Sequence, residues 1–256
     1  MTKSKTIHKE YLSLEVEIDQ IIQTFATGGK PFGNQDRNTL KEFQLNNESV
    51  IVKSFRVPNI INQIAYRFFR KSKAERSFTY ANKLIELDVG TPKPIAFYEF
   101  ASPFLFKNSY YISVLEKADI TYRELTKDIN YPNHEAILRA FTRFTFELHE
   151  KQIHFLDHSP GNTLIKINGD QYAFFLVDLN RMHFGILDFE TRIKNFAKLT
   201  IHKSMVEVMS DEYARCIGIP FEKVFNLMWQ ETQAFQERYH RKRRLKKRLK
   251  FWKNLD

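Results

Sequence analysis

Apolar and polar positions change period several times along the chain. Thr39 to Leu45 and Val50 to Phe55 flank the polar link Asn46-Asn47-Glu48-Ser49, and the second run is rich in β-branched residues; together they predict a hairpin. Upstream, residues 21–34 pass from Ile-Ile-Gln-Thr-Phe through Gly28 and Gly29 to Pro-Phe-Gly-Asn, which predicts a turn between two extended segments. Helical runs fill Ile61 to Asp88 and stop at Val89-Gly90-Thr91-Pro92. PIAFYEF and SYYISVLE return to strand composition, so the order to residue 116 is strand, strand, helix, strand, strand. That order predicts a small α+β unit with a mainly antiparallel sheet. From Tyr122 the period is mainly helical, with Ile137, Phe141, Phe144, Phe146 and Leu148 close to helical spacing. Two strand-like runs, NTLIKI and YAFFLVDL, interrupt it around Asn168-Gly169-Asp170, a sequence suited to a tight turn. Residues 188–237 read as helices again. The expected architecture is α+β in two lobes, residues 1–116 and 117–236, hinged near Leu115 to Ala118, with a tail at 237–256.

Composition narrows the classes. With 256 residues, 43% of them apolar and 14% aromatic, the chain can build a sizeable core, and whole-chain disorder is excluded. The one cysteine, Cys216, excludes an internal disulfide framework or a multi-cysteine zinc site and favours a reducing compartment. No run reaches the about 18–20 apolar residues of a membrane span, so a soluble or peripheral protein is expected. Charge is uneven. Residues 237–256 hold ten Lys+Arg and two acids, +8 of the total +10, and leave only +2 on the first 236 residues.

Candidate chemistry concentrates in HFLDHSPGN, His154 to Asn162, between a helix and a strand. Asp157 is followed five positions later by Asn162, and Asp178 ends an apolar strand in FFLVDLNR. An Asp beside a substrate hydroxyl can orient it and accept its proton, while an Asn and a second Asp can hold Mg²⁺ on nucleotide phosphates. Singly, each is also an ordinary cap or Asx-turn residue; the order and placement of all three carry the reading.

The pattern resembles the catalytic loop and metal-binding aspartate of protein-kinase-like phosphotransferases. It departs from them in placing His154 three positions before Asp157 and in having Asp178-Leu179-Asn180 for D-F-G. No A-P-E segment follows. The resemblance implies a phosphate-binding lysine on a strand, and VIVKSF supplies Lys53, whose alternative is an edge lysine facing water. A phosphate-covering loop would use Gly28 and Gly29, with Lys30 and Gly33; two adjacent glycines also make a common turn. Arg37 could add a phosphate contact or stand in a solvated hairpin. Glu116 falls at the expected hinge, where adenine would be met, or is a solvated strand-end carboxylate. For the glutamate that would position Lys53, Glu75 is the substitute, because Thr79 occupies the expected place and Glu86 lies two turns further on.

Longer runs, RNTLKEFQL, VIVKSFRVPNIINQIAYRFFRKSKAERSF, GTPKPIAFYE, ELHEKQIHFLDHSPGN and LVDLNRM, resemble the bacterial lipopolysaccharide kinase family over about residues 20–235. That resemblance implies a two-lobed protein-kinase-like fold, ATP and Mg²⁺ as cofactors, and Kdo or heptose of the lipopolysaccharide inner core as acceptor. It also implies a cytoplasmic location at the inner membrane of a Gram-negative bacterium. Lys53 and Asp157 would take the phosphate and base roles, Asn162 and Asp178 the metal, and Arg181 matches a family position of uncertain purpose. A kinase of another acceptor, small molecule or protein, and a non-catalytic pseudokinase are the alternatives.

His149, His154 and His158 beside Asp157 invite a zinc reading, but a zinc hydrolase needs three ligands converging on one face. His154 is expected to brace the catalytic loop and His149 to cap the preceding helix. In the tail, Leu245, Leu249 and Trp252 recur at helical spacing among lysines and arginines, with Phe251 and Leu255 nearby. Such a helix suits an anionic membrane surface, at about 1 kcal/mol per basic residue near it. RNA contact and a simple solvated helix are its alternatives, and nucleic acid is not the expected partner.

Overall fold

The computed structural model describes residues 2–33 and 38–253, with side chains for 4–33 and 38–246. The chain divides into two compact units: Met1–Lys117 with Phe175–Arg181, and Ala118–Phe174 with Met182–Asp256.

The first unit is built on a six-stranded sheet of β1 (Thr2–Ile7), β2 (Lys30–Pro31), β3 (Thr39–Leu45), β4 (Glu48–Phe55), β5 (Pro94–Ala101) and β6 (Phe106–Val114). Its order is β1-β5-β6-β4-β3-β2, and every pairing is antiparallel. β3 and β4 form the expected hairpin, closed by Asn46-Asn47, with Asn46 at φ 53°, a conformation asparagine tolerates. The segment before Gly28 differs from expectation. Glu15–Gln23 is helix α1, because Ile18, Ile21, Ile22 and Phe25 recur at helical spacing and are buried against Val50, Val52, Ile95, Tyr98 and Ile112 of the sheet. Two helices, α2 (Ile60–Phe68) and α3 (Lys73–Glu86), replace one long run. The break comes at Ser72, whose hydroxyl accepts from the Glu75 N–H and starts α3. α3 packs Ala74 and Phe78 on Phe55 and Phe97, on the sheet face opposite α1.

The second unit contains β7 (Ile120–Thr121), α4 (Tyr122–Lys127), α5 (His134–Glu150), β8 (Ile153–Phe155), β9 (Thr163–Asn168), β10 (Gln171–Leu176), β11 (Met182–Phe184), α6 (Phe189–Lys194), α7 (Lys203–Ile217) and α8 (Phe221–Lys253). Thr121 and Glu124 form a capping box that starts α4. The core gathers Tyr122, Phe141, Phe174, Phe196, Met209, Tyr213 and Met228 from these helices, β10 and the turn after α6. The basic tail is a continuation of α8; the side chains of Leu249, Phe251 and Trp252, and all of Leu255, lie outside the described residues.

Candidate functional site

In the first unit, strand alternation turns Val50 and Val52 toward α1 and leaves Lys53, with Phe55, on the α3 face. The Lys53 ammonium lies 5.2 Å from the Phe55 ring centre and donates to Asp178 Oδ1 at 2.6 Å. The side chains are 13% and 34% exposed, so the lysine is largely withdrawn from water while its partner stays accessible. Asn180 Nδ2 donates to the same carboxylate oxygen at 2.6 Å. Asp178 adopts φ 61°, a left-handed conformation that aspartate enters more readily than most residues. What holds it there is the turn after α3. Leu176 N–H donates to Gly90 O at 2.8 Å, and Thr91 Oγ1 donates to Leu176 O at 2.9 Å. The Gly-Thr-Pro helix stop is thus also the dock for the strand end that carries Asp178.

The other residues singled out from the sequence are placed as follows. Lys53 pairs with Asp178, and Glu75 pairs instead with Lys71, at 3.1 Å. The physical reason is position: Glu75 is in the first turn of α3, next to the chain entering that helix. It also stands near Glu99 on β5, whose carboxyl is raised by burial and further by the Glu75 charge, against a hydrogen bond with Ser72. Gly28 and Gly29 follow α1. Gly28 N–H donates to Thr24 O at 2.7 Å, and Gly29 takes φ 73° with its Cα so close to Phe43 that a Cβ would sit 2.5 Å from the ring. Lys41, which the sequence did not single out, donates to the carbonyls of Phe25, Ala26 and Gly28 at 2.7, 3.1 and 2.8 Å and fixes this turn. Glu116 lies just past β6, half-buried. Arg37 lies outside the described residues.

In the second unit, Asp157 and Asn162 share one loop. Asn162 Nδ2 donates to the Asp157 carbonyl at 2.8 Å, and Asn162 N–H to Ser159 O at 2.9 Å. Lys198, after α6, donates to Leu156 O at 2.5 Å and brings its ammonium to 3.9 Å from Asp157 Oδ1. At Gly161 a Cβ would overlap the Arg123 guanidinium, so glycine admits an arginine of α4 over the loop.

The expectation for the histidines is corrected. His149 is buried and braces the loop: its Nε2 reaches Asn195 Oδ1 at 3.2 Å, and Asn195 Nδ2 donates to Phe155 O at 2.9 Å. Tyr213 OH lies 2.9 Å from His149 Nδ1. Burial pushes His149 down to about 4, so the ring is neutral; Nε2–H donates to Asn195 and Nδ1 accepts from Tyr213. His158 is also wholly buried, among the rings of Phe141, Phe155 and Phe196, and neither ring nitrogen has a hydrogen-bond partner. Burial pushes it down to about 3, with the nearby Asn195 side chain opposing the shift. His154 sits on β8 opposite His183 and is lowered by burial and then by that neighbour. Among the described residues, no group of three or more His, Cys, Asp or Glu could hold a metal alone.

Lys198 and Asn195 had no signal at fixed spacing from Asp157, since they arrive from a different part of the chain. Asn180 stood in plain view within Asp-Leu-Asn.

No protein-family model matches the chain, and no curated protein matches it. A solved structure does. The fold is similar to that of WaaP. The structure titled "WaaP in complex with acyl carrier protein" aligns with a TM-score of 0.63, covering 93% of this chain and 98% of that one, at 15% sequence identity. The two-lobed, kinase-like α+β fold expected from the sequence is therefore the fold of this chain. WaaP is thus a structural relative at a sequence distance that leaves chemistry to be argued from the residues.

Proposed function

We propose that this protein is an ATP-dependent kinase that phosphorylates a sugar hydroxyl, Kdo or heptose, of the lipopolysaccharide inner core. The observation that carries the reading is the Lys53–Asp178 ion pair on a WaaP-like fold: a sheltered ammonium and an accessible carboxylate, held 2.6 Å apart by residues 125 positions apart in sequence. The WaaP-like fold, together with the runs that resemble the lipopolysaccharide kinase family, makes an inner-core sugar the first acceptor to test.

The roles follow from the donor sets. Lys53 neutralises phosphate oxygens of the nucleotide, as a lysine sheltered from water does most strongly. Asp157 accepts the proton of the acceptor hydroxyl as its oxygen bonds to the γ-phosphorus and the bond to the bridging β-γ oxygen breaks, releasing ADP. Lys198, 3.9 Å from that carboxylate, helps to aim it, and Asn162 fixes the backbone beneath it. The carboxylate of Asp178 and the amide oxygen of Asn162 are hard oxygen donors of the kind that would hold Mg²⁺. When bound, the ion supplies charge neutralisation on the phosphates. Gly28, Gly29 and Glu116 are proposed as nucleotide contacts, and Glu75 as a secondary support of the α3 face. The protein is proposed to work in the cytoplasm at the inner membrane, with the basic end of α8 attracted to anionic lipid; its +8 supports that reading.

The test is mass spectrometry of lipid A and core from cells lacking the protein, complemented with wild type or Asp157→Ala. Loss of one core phosphate, restored by wild type and not by Asp157→Ala, is expected. An unchanged core in the null strain overturns the acceptor, and ATP turnover on another alcohol would then identify a different kinase.

A further inference from the structure

α2 is turned the wrong way round for a helix of a water-soluble unit. Ile60, Ile61, Ile64 and Phe68 fall within about 100° of its circumference, the width of the apolar stripe that normally faces a core. Here the stripe faces outward: these residues are 61%, 75%, 43% and 55% exposed, and no residue of α2 is buried. The inner side is the more polar one. Gln63 Nε2 donates to Pro58 O at 2.9 Å, and Tyr66 packs its ring 5.7 Å from that of Phe106. The apolar surface continues beyond the helix into Phe69 and across to Phe104, 83% and 75% exposed. Phe104 is in the turn between β5 and β6, which Arg67 ties to α2 by donating from Nε to Pro103 O at 3.2 Å. Clustered exposure of this kind, unlike scattered apolar residues, marks a surface meant to be covered.

Charge says by what. From Arg56 to Ala74 the chain carries Arg56, Arg67, Arg70, Lys71 and Lys73 and no acidic residue. The centre of the face holds aliphatic and phenyl groups without hydrogen-bonding atoms, and the cations gather at the C-terminal end of α2 and in the linker to α3. An apolar face that needs no directional partner, bordered by cations, matches acyl chains beneath anionic headgroups. Among the described residues no helix is long and apolar enough to cross a membrane, so the contact is one of lying on the surface.

We infer that α2 and the β5–β6 turn are a docking surface for an anionic lipid bilayer, into which Ile61, Ile64, Phe68, Phe69 and Phe104 insert. This goes beyond the proposed chemistry and does not depend on it, because it is read by binding and not by turnover. It is also separate from the basic end of α8, whose contribution is electrostatic.

The experiment is cosedimentation of the full chain with vesicles of phosphatidylcholine containing phosphatidylglycerol, and with phosphatidylcholine alone, at low and high salt. Wild type is expected to bind the anionic vesicles and to keep part of that binding at high salt. Ile61→Ser/Ile64→Ser/Phe68→Ser/Phe69→Ser should lower the affinity by at least about tenfold, through the apolar area no longer buried, with an unchanged circular dichroism spectrum and thermal midpoint. Arg70→Gln/Lys73→Gln should weaken binding at low salt only. Should the fourfold variant fold poorly, Phe69→Asp alone, at a site 83% exposed, is expected to give the same direction of change. Equal vesicle binding by wild type and these variants overturns the inference, as does no binding by wild type. It is equally overturned if the variants lose self-association in light scattering, or lose capture of acidic acyl carrier protein, while their vesicle binding is intact.

Discussion

Protonation of two buried histidines should make the second unit acid-labile. His149 and His158 are pushed down to about 4 and about 3 from an ordinary 6.5, in both cases first by burial. Between those values and 6.5 the unfolded chain binds protons that the folded one refuses, so stability rises with pH there and is lost on acidification. At pH 5 each ring then costs about 2 kcal/mol relative to pH 8, and the pair about 4 kcal/mol, a large part of the usual 5–15 kcal/mol stability of a domain. His158→Phe isolates the effect. The position is lined by Phe141, Phe155 and Phe196 and gives the imidazole no hydrogen bond, so a phenyl ring suits it. At pH 8 the variant should unfold within about 1 kcal/mol of wild type. Urea unfolding followed by circular dichroism, from pH 8 to pH 5, should show wild type losing about 2 kcal/mol more than the variant. Parallel curves for the two proteins would refute the argument, whatever the absolute slope, because carboxylate titrations are common to both.

Asp178→Asn should raise the concentration of Mg·ATP needed for thermal stabilisation several-fold, since Lys53 loses the charge on its partner and the ion loses a carboxylate; an unaltered Mg²⁺-dependent shift would move the metal role elsewhere. Glu75→Gln is expected to leave kcat within about threefold of wild type, because its ion pair is with Lys71; a loss approaching that of Lys53→Met would show that the pair changes during turnover. Gly29→Ala should destabilise by about 1–3 kcal/mol in urea unfolding, through the left-handed φ and the Phe43 ring, and Phe43→Leu should recover part of it if the ring is the cause. Removal of residues 238–256 should reduce low-salt binding to anionic vesicles while leaving nucleotide binding intact; equal binding by both forms would exclude the tail as a membrane element.

The fold was readable where local chemistry and the final packing agree. Asn46-Asn47 closes its hairpin with the pattern around it, and Asp157 and Asn162 share the loop that their spacing suggested. The Gly/Pro/Asn cluster in residues 21–34 predicts a turn between two extended segments, whereas the segment before Gly28 is the end of helix α1. The spacing through Ile18, Ile21, Ile22 and Phe25 was the better guide, since it extends over two turns. The partner of Lys53 depends on a dock between Leu176 and Gly90 that joins distant segments, and no local period records it. His149 and His154 differ in burial, which sequence spacing five apart cannot reveal. α2 shows the same limit from the other side: its stripe is plain in the sequence, but which way it faces is decided by Tyr66 and Phe106.

The assignment of Phe175–Arg181 to the first unit has a consequence for dissecting the molecule. A fragment ending at Lys117 would keep the six described strands and α1 to α3 of that unit, yet would strand the Lys53 ammonium, 13% exposed, without its Asp178 partner. Such a cation, withdrawn from water and uncompensated, would favour opening of the strand toward solvent. The first unit is therefore not a detachable module that one cut could liberate. Its inventory of charge closes only after the chain has left it, laid down part of a second core, and come back for seven residues.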